Sequence, residues 1–308
     1  MSVRSDPVRL SRTSDGRSIE ATVSRVGAGL QALSVDGLDL VAGGLEGPVA
    51  YSGAVLVPWP NRIRRATWTL DGATQSLDVT ESTGGNALHG LVATTPFEVI
   101  EHDQDVVGLA ASVDSPAGYP FELDVEVRYH LIPTGIRSEI TVVNRSDRPA
   151  PVAVGVHPYL RVGDAPSTDL RIQVAAETTL VLGDDNLPRA SEPVAGTPYD
   201  LRTPTVLEDA PGHAAYTGLH SEAGRIRMRL CDDRTGESAT LWADERFRWA
   251  QVYVTDRPPG RGPGAPAVAL EPMTGPPDAF NSGVDVHWMP PASRWTLEWG
   301  IDRRRFRP

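Results

Sequence analysis

The segment FELDVEVRYHLIPTGIRSEITVVN, residues 121–144, alternates apolar and polar side chains along almost its whole length. A period of two places apolar side chains on one face of a β-strand and polar ones on the other. The tripeptide PTG at 133–135 interrupts this alternation with residues that favour turns. The stretch therefore predicts a β-hairpin with one face in a core and the other in solvent.

Similar alternation continues on both sides of the hairpin. It predicts a further hairpin at 97–113 and strands at 18–26, 30–41, 153–156, 170–182, 225–231, 239–243, 250–254, 267–270 and 295–301. No long segment has a helical period with caps, so we expect few and short helices. The pattern predicts an all-β fold of antiparallel sheets packed face to face, with functional residues on loops and strand ends.

The composition agrees with a large β protein. The 308 residues include 27 prolines and 29 glycines, which suits many short strands joined by turns. A chain of this length can form one β domain, and we expect a single domain over residues 1–308. The low-complexity stretch RPPGRGPGAP at 257–266 is expected to be an exposed loop.

The charge balance argues against polyanionic partners. A formal net charge of −11 repels phosphate backbones and anionic lipids, so we predict neither a nucleic-acid nor a membrane partner. A single cysteine, Cys231, allows no disulfide within the chain. The first residues lack the apolar stretch of a secretion signal, and no run approaches the about 18 apolar residues of a membrane span. We therefore expect a cytoplasmic protein.

Two of the seven histidines stand in unusual contexts. His89 lies near the end of the run GGNALHG, residues 84–90, which indicates a tight turn that presents one imidazole. His157, in GVHPYL, follows an apolar run and precedes Pro158, so a rigid strand end directs its side chain. For each of them, a buried histidine with a purely structural role is the alternative.

A carboxylate and a polar loop complete the set of candidates. Glu271 directly follows AVAL and precedes Pro272, at the end of a strand that looks buried. Apolar surroundings disfavour the ionised carboxylate and make it a better base near neutral pH, although an ion pair with an arginine is the alternative. In WPNRIRR, residues 59–65, two donors (Asn61 and Arg62) follow a proline and an indole, which suits a polyhydroxylated ligand.

The common motifs of other enzyme classes are missing from the sequence. It contains no HxH, HExxH or CxxC spacing for a metal, no glycine-rich phosphate loop that leads into a helix, and no GxSxG nucleophile turn. We therefore predict no metal and no cofactor. The candidates that are left indicate acid–base chemistry by histidine and glutamate.

Five motifs, PNRIR, GGNALHG, GVHPYL, AQVYVTD and LEPMTGPPDAFNSG, follow one another in an order that resembles the aldose 1-epimerase (galactose mutarotase) family. The resemblance extends from about residue 16 to residue 303. It implies a large antiparallel β-supersandwich with a sugar cleft on one face and no cofactor. The implied reaction is the interconversion of the α and β anomers of a free aldose such as glucose or galactose.

The resemblance also implies roles for individual residues. Glu271 is similar to the base that takes the proton of the C1 hydroxyl, and His157 to the acid that protonates the ring oxygen. His89 is similar to a second histidine that hydrogen-bonds the sugar near that oxygen. The family positions that bind sugar hydroxyls are matched here by Asn61, Arg62 and Gln251.

One position departs from the family pattern. Family members carry an aspartate in a DxxF-like motif that binds a sugar hydroxyl, and the best local match, HAAYTGL, places His213 there. Either His213 belongs to a site that recognises a different hydroxyl pattern, or Asp209 supplies the carboxylate.

Two other functions are compatible with the sequence. A sugar-phosphate (hexose 6-phosphate) 1-epimerase would need additional arginines near the cleft, and the acidic net charge speaks against it. A non-catalytic sugar-binding protein of the same fold would not need Glu271, His157 and His89 together. In each case the expected partner is a monosaccharide, and the expected assembly is a monomer or a homodimer.

Overall fold

The computed structural model describes residues 6–44, 49–82, 84–259 and 267–305. Strands dominate, and within these ranges the only α-helix is α1 (Ala279–Ser282). Short 3₁₀ turns lie at Val49–Tyr51, Arg64–Ala66, Ser167–Asp169 and Leu207–Asp209. No helix in the described ranges combines the length and the apolar character needed to cross a membrane. The prediction of an all-β fold with few and short helices is confirmed.

The first half of the chain forms fourteen of the described strands. They are β1 (Val8–Ser14), β2 (Arg17–Val23), β3 (Leu30–Val35), β4 (Leu38–Asp39), β5 (Val41–Ala42), β6 (Val55–Leu56), β7 (Arg62–Ile63), β8 (Thr67–Leu70), β9 (Ala73–Ser76), β10 (Ala87–Leu88), β11 (Glu98–His102), β12 (Val106–Asp114), β13 (Glu122–Ile132) and β14 (Gly135–Asn144).

The second half contributes fifteen more. They are β15 (Ala150–Val152), β16 (Gly155–Val156), β17 (Tyr159–Leu160), β18 (Leu170–Val174), β19 (Ala176–Leu182), β20 (Pro188–Pro193), β21 (Thr205–Val206), β22 (His213–Leu219), β23 (Ser221–Glu222), β24 (Arg225–Asp232), β25 (Glu237–Asp244), β26 (Trp249–Thr255), β27 (Ala267–Met273), β28 (His287–Met289) and β29 (Arg294–Arg305).

Two large antiparallel sheets form the body of the protein. The ten-stranded sheet has the order β11-β12-β13-β14-β29-β25-β24-β18-β21, with β23 paired to β24. The nine-stranded sheet has the order β20-β19-β22-β26-β27-β16-β6, with β17 paired to β27 and β5. A four-stranded sheet, β1 to β4, and the pairs β7–β10, β8–β9 and β15–β28 complete the described strands.

The alternation of apolar and polar residues along 121–144 produces part of the core. Along β13, Leu123, Val125, Val127, Tyr129 and Leu131 are buried, while the residues between them are more exposed. These five side chains belong to one apolar cluster that also includes residues of the nine-stranded sheet. Burial of this apolar surface between the sheets is the main favourable term in folding.

The nine-stranded sheet is buried on both of its faces along β27. Val268 and Leu270 belong to the main core. Because side chains alternate along a strand, Ala269, Glu271 and Met273 lie on the opposite face. Two smaller apolar clusters cover that face, one formed by Leu180, Ala215, Trp249 and Met273, and the other by Ala42, Tyr159, Ala267 and Ala269. We call this second surface the cleft face.

The predicted strands agree with the structure except in a few places. The region 30–41 divides into β3, β4 and β5, and the region 170–182 divides into β18 and β19, which belong to different sheets. Several strands, among them β1, β20 and β22, were not predicted, and in β22 the reason is that HAAYTGL does not alternate. Residues 260–266 of the predicted loop lie outside the described residues.

The prediction that Glu271 ends a strand is wrong. The strand β27 continues through Glu271 and Pro272 to Met273, and Pro272 pairs in register with Ala250 of β26. A proline can occupy a strand position where the ladder does not require its missing N–H. Glu271 is therefore held by strands on both sides rather than by a loop.

Two of the tryptophans, Trp299 and Trp288, can be used to test the position of the core. Trp299 in β29 is fully buried, whereas Trp288 in β28 is 49% exposed. We expect Trp299→Ala to lower the free energy of unfolding by about 3–5 kcal/mol, because it leaves a cavity. Trp288→Ala should change it by less than about 0.5 kcal/mol. Chemical denaturation measures both values, and equal losses would contradict the placement of Trp299.

Candidate active site

His157 and Glu271 form a buried contact on the cleft face. Nε2 of His157 lies 3.3 Å from Oε1 of Glu271. The two residues are only 5% and 2% exposed. Within the described part of the chain, Nδ1 of His157 and Oε2 of Glu271 have no hydrogen-bond partner. Buried polar atoms normally have hydrogen-bond partners. These two atoms are therefore available for hydrogen bonds to a ligand.

Three neighbouring strands hold this pair in place. His157 directly follows β16, whose Gly155 pairs with Met273 of β27. The ring of His157 stacks on Tyr159 of β17, with 5.1 Å between ring centroids and 28° between planes. The prediction that His157 lies at a strand end is therefore confirmed, and the sheet register brings it to Glu271.

Burial shifts the pKa values of the two groups in opposite directions. Desolvation raises the pKa of Glu271 from 4.5 to about 8, although the positive charge of Arg62 opposes this shift. Desolvation lowers the pKa of His157 from 6.5 to about 4, although the polar backbone of His157 itself acts in the opposite direction. Between these two values the pair carries one proton in total, on the carboxyl group or on the imidazole.

The run GGNALHG is a turn that presents His89, as the sequence indicated. The backbone N–H of His89 donates to the carbonyl of Asn61 at 2.8 Å, next to the β7–β10 pair. His89 and Gly90 have φ angles of 63° and 74°. A Cβ atom at position 90 would lie 2.3 Å from the carbonyl oxygen of Val57, so only glycine fits there.

The hydrogen bonds of His89 determine which of its nitrogens carries the proton. The backbone N–H of Asn61 donates to Nδ1 of His89 at 3.2 Å. Burial holds the pKa of His89 well below 6.5, and the positive charges of a protonated His157 and of Arg62 act in the same direction. A neutral imidazole whose Nδ1 accepts a hydrogen bond carries its proton on Nε2. His89 therefore offers a donor, with its ring 5.1 Å from that of His157.

The same three side chains have a spacing that could hold a metal ion. Donor atoms of His89, His157 and Glu271 lie within 4.8 Å of one another. The lone pair on Nδ1 of His89 is already used by Asn61. A metal at Nε2 would have to displace a proton. The arrangement therefore favours a hydrogen bond from His89 to a ligand over metal coordination.

Three further predicted residues form one connected group beside Glu271. Nδ2 of Asn61 donates to Oε1 of Gln251 at 3.2 Å, and Nη1 of Arg62 donates to Oδ1 of Asn61 at 3.2 Å. Gln251 also donates to the carbonyl of Ala214 at 2.9 Å. In the β26–β27 register, Gln251 lies directly opposite Glu271. The structure thus brings Asn61, Arg62 and Gln251 to the acid–base pair.

Glu81 was not selected from the sequence, although it contacts a predicted site residue. Nε and Nη2 of Arg62 donate to the Glu81 carboxylate at 2.7–3.1 Å. Asn86, in the GGNALHG run, donates to Oε2 of Glu81 at 2.7 Å. An acidic residue in the polar stretch DVTESTGGN resembles an ordinary solvated loop residue, so no sequence signal indicated this contact.

His213 lies at the same site, whereas Asp209 does not. His213 is paired in register with Tyr253, whose ring centroid is 5.9 Å away. The pKa of His213 is lowered from 6.5 to about 4, mainly by burial and also by the charge of Arg62, while Glu81 acts in the opposite direction. The neutral imidazole therefore lies near the Arg62–Glu81 pair. Asp209 is exposed in a 3₁₀ turn that contacts β18 of the ten-stranded sheet.

The raised pKa of Glu271 makes the stability of the protein depend on pH. In the unfolded chain this carboxyl ionises near 4.5, whereas in the folded protein it stays protonated up to about pH 8. Between these values the unfolded state releases the proton first, so stability falls as the pH rises. Glutamine is neutral throughout. We therefore expect Glu271→Gln to exceed the parent in unfolding free energy by roughly 3 kcal/mol at pH 7.

Thermal unfolding of both proteins across this pH range measures the effect. The advantage of Glu271→Gln should vanish near the lower limit and be largest near the upper one. An advantage that is the same at every pH would show that the Glu271 carboxyl is not held protonated by burial.

The chain is similar to known proteins along most of its length. A family model described as aldose 1-epimerase matches residues 9–299. The uncharacterized protein YihR of Escherichia coli (strain K12) is 32% identical over 269 residues, 86% of this chain and 84% of that protein. The aldose 1-epimerase of the same organism is 30% identical over 168 residues, 51% of this chain and 47% of that enzyme. The second match thus spans about half of the enzyme.

Solved structures show the same fold. The GalM/aldose epimerase homologue from C. elegans has a TM-score of 0.82 at 17% identity, over 98% of this chain and 100% of that one. A putative aldose 1-epimerase from Escherichia coli K12 has a TM-score of 0.80 at 18% identity, over 97% and 100%. These likenesses confirm the predicted galactose mutarotase-like fold. Because the family model covers almost the whole chain, the protein belongs to the aldose 1-epimerase family.

Proposed function

We propose that this protein is an aldose 1-epimerase that interconverts the α and β anomers of a free aldose. The observation that carries the proposal is the buried His157–Glu271 contact of 3.3 Å, in which each residue keeps one polar atom without a partner among the described residues. Family membership supports an isomerase-type enzyme. The proposed partner is a monosaccharide, and the proposed reaction needs no cofactor.

Ring opening requires two proton transfers at oxygens bonded to the same carbon. The Glu271 carboxylate takes the proton of the C1 hydroxyl while the bond from C1 to the ring oxygen breaks, and the bonding electron pair stays on the ring oxygen. The His157 imidazolium gives its proton to that oxygen. Rotation about C1–C2 then presents the other face of the aldehyde to the former ring oxygen. The same two proton transfers in reverse close the ring and give the other anomer.

The proton count of the pair matches this cycle. Ring opening starts from a carboxylate and an imidazolium and ends with a carboxylic acid and a neutral imidazole, so the pair holds one proton throughout. In the empty buried site the neutral form is favoured, since the pKa values are about 8 for Glu271 and about 4 for His157. Transfer between Oε1 and Nε2 across the 3.3 Å contact interconverts the two forms.

The same values define the pH range of activity. Below about pH 4 both groups are protonated and no base is present, and above about pH 8 the shared proton is lost and no acid is present. We expect kcat/KM to be nearly constant between these limits. General acid and base groups each contribute about 10²–10⁴ in rate.

The neighbouring polar groups supply the contacts that a pyranose needs. His89 donates from Nε2 to an oxygen near the ring oxygen, because its Nδ1 is occupied by the Asn61 amide. Hydroxyl groups of the sugar are bound by four residues of the cleft face: Asn61, Arg62, Gln251 and His213.

The charges near the pair favour a free aldose over a sugar phosphate. Arg62 is paired with Glu81, and Arg64 lies 3.2 Å from Asp278 and 3.5 Å from Asp185. A phosphate dianion binds best where positive charge is not already compensated. In the described structure, both arginines of the NRIR segment are therefore already paired with carboxylates.

Polarimetry of anomer equilibration tests the proposal with glucose, galactose, xylose, arabinose and glucose 6-phosphate. We expect acceleration of at least one free aldose and no preference for the phosphate. Glu271→Gln and His157→Asn should each lower kcat/KM by about 100-fold or more, because each removes one proton-transfer group. Circular dichroism checks that both variants keep the fold. A variant within a few-fold of the parent would contradict the role assigned to that residue.

His213 is expected to affect the choice of sugar rather than turnover. His213→Asn changes the hydrogen-bonding geometry at a hydroxyl but leaves the acid–base pair in place. The ratio of KM values between glucose and galactose should change by about fivefold or more, since one lost hydrogen bond is worth about 1 kcal/mol. His220→Asn, at an exposed histidine just beyond β22, is the control. An unchanged ratio would place His213 outside the sugar contacts.

A further inference from the structure

Arg62 is held by a carboxylate that takes no part in the proposed proton transfers. Its Nε lies 3.0 and 3.1 Å from the two oxygens of Glu81, and its Nη2 lies 2.7 Å from Oε1. The two side chains are only 12% and 17% exposed. A paired fork of this kind, largely shielded from water, orients a guanidinium far better than an exposed ion pair does.

Glu81 is itself fixed from the side of the His89 turn. Asn86 donates to its Oε2 at 2.7 Å, and the two residues also form an isolated β-bridge. The side-chain oxygen of Asn86 accepts from the backbone N–H of Arg65 at 3.0 Å. Glu81 therefore connects the segment that carries Arg62 to the turn that presents His89.

This arrangement already uses three of the five N–H donors of Arg62. Nε and Nη2 are directed at Glu81, and Nη1 donates to Oδ1 of Asn61 at 3.2 Å. Each Nη nitrogen carries two N–H groups, so one on Nη1 and one on Nη2 stay available on the outer edge of the guanidinium. Loss of Glu81 would allow the guanidinium to rotate away from this orientation.

The cation that Glu81 holds acts electrostatically on the acid–base pair. The charge of Arg62 acts on Glu271 against the raising effect of burial. The other titratable groups that face Glu271 are His157, in contact with it, His89, whose donor atom lies within 4.8 Å, and Tyr159, whose pKa Glu271 raises in addition to burial. Arg62 is thus the one cation that acts on Glu271 within the described structure, and the carboxylate of Glu81 compensates part of its charge.

We infer that Glu81 is a positioning residue for the reaction, which holds the Arg62 guanidinium toward the sugar and reduces its positive field at Glu271. The inference rests on the proposed function for the sugar contact, whereas the effect on the field does not depend on turnover. Glu81→Gln keeps the shape of the side chain and removes the charge. Glu81→Asp keeps the charge and shortens the reach.

The chain offers a closely matched control pair far from the site. Glu237 accepts from Nε and Nη2 of Arg303 at 2.8 and 3.0 Å, with side chains 11% and 19% exposed. Both residues lie in strands of the ten-stranded sheet, β25 and β29. Glu237→Gln therefore removes an equally buried paired fork without touching the cleft face.

Infrared titration of the Glu271 carboxyl tests the field directly. Its C=O stretch is assigned by its loss in Glu271→Gln and followed as the pH rises. In Glu81→Gln the uncompensated Arg62 stabilises the carboxylate, so the midpoint should move to lower pH by about 0.5–1 unit. Glu81→Asp and Glu237→Gln should keep the parental midpoint. A parental midpoint in Glu81→Gln would overturn the inference.

Polarimetry with the preferred sugar tests the positioning. Both Glu81 variants should raise KM by about tenfold with a smaller change in kcat, since a hydrogen bond to a charged group is worth about 1.5–3 kcal/mol. Glu237→Gln should leave KM unchanged. A fall in kcat with parental KM and midpoint would show a general loosening of the site and overturn the inference. If the parent shows no mutarotation, the proposed function fails, and the infrared titration still decides the role of Glu81.

Discussion

The contact between Glu271 and His157 in a site shielded from water is the constraint on which the rest of the structure depends. Burial disfavours the charged form of each group, so the pair retains a single proton over a wide pH range. That state lowers folding stability near neutral pH, because the unfolded chain could release the proton of Glu271. This arrangement destabilises the fold and leaves two buried polar atoms without partners among the described residues, which a functional site explains better than packing does.

The architecture explains how a carboxyl group can be buried at this point. In a sheet covered on one side only, the side chain of Glu271 would reach solvent. Here the nine-stranded sheet has the main core on one face and two small apolar clusters on the cleft face, among them Met273 and Tyr159. Strand pairing on both sides of β27 fixes the backbone, so the position of the carboxyl group depends on register rather than on loop conformation.

The charged groups around the Glu271–His157 pair interact with one another and with the neighbouring histidines. Glu81 is held in its ionised form by Arg62 and Asn86 against the opposing effect of burial. Arg62 in turn acts on Glu271, His89 and His213, and for each of them burial is the larger influence. Cations and anions near the cleft are therefore paired with one another, while the histidines stay neutral and serve as hydrogen-bonding groups. A neutral polyhydroxylated ligand suits such a surface better than an anion does.

The sequence alone determined the fold class and most of the strands, because alternation of apolar residues and turn signals are local properties. Ordered motifs also pointed to the family and to Glu271, His157, His89, Asn61, Arg62 and Gln251. The tertiary structure alone decided how these side chains meet: Glu271 lies within a strand instead of at its end, and Glu81 folds back onto Arg62 from nineteen positions away. It also placed His213 near the Arg62–Glu81 pair and Asp209 in an exposed 3₁₀ turn. Register, burial and charge compensation arise from contacts between distant segments, so no local pattern in the chain contains them.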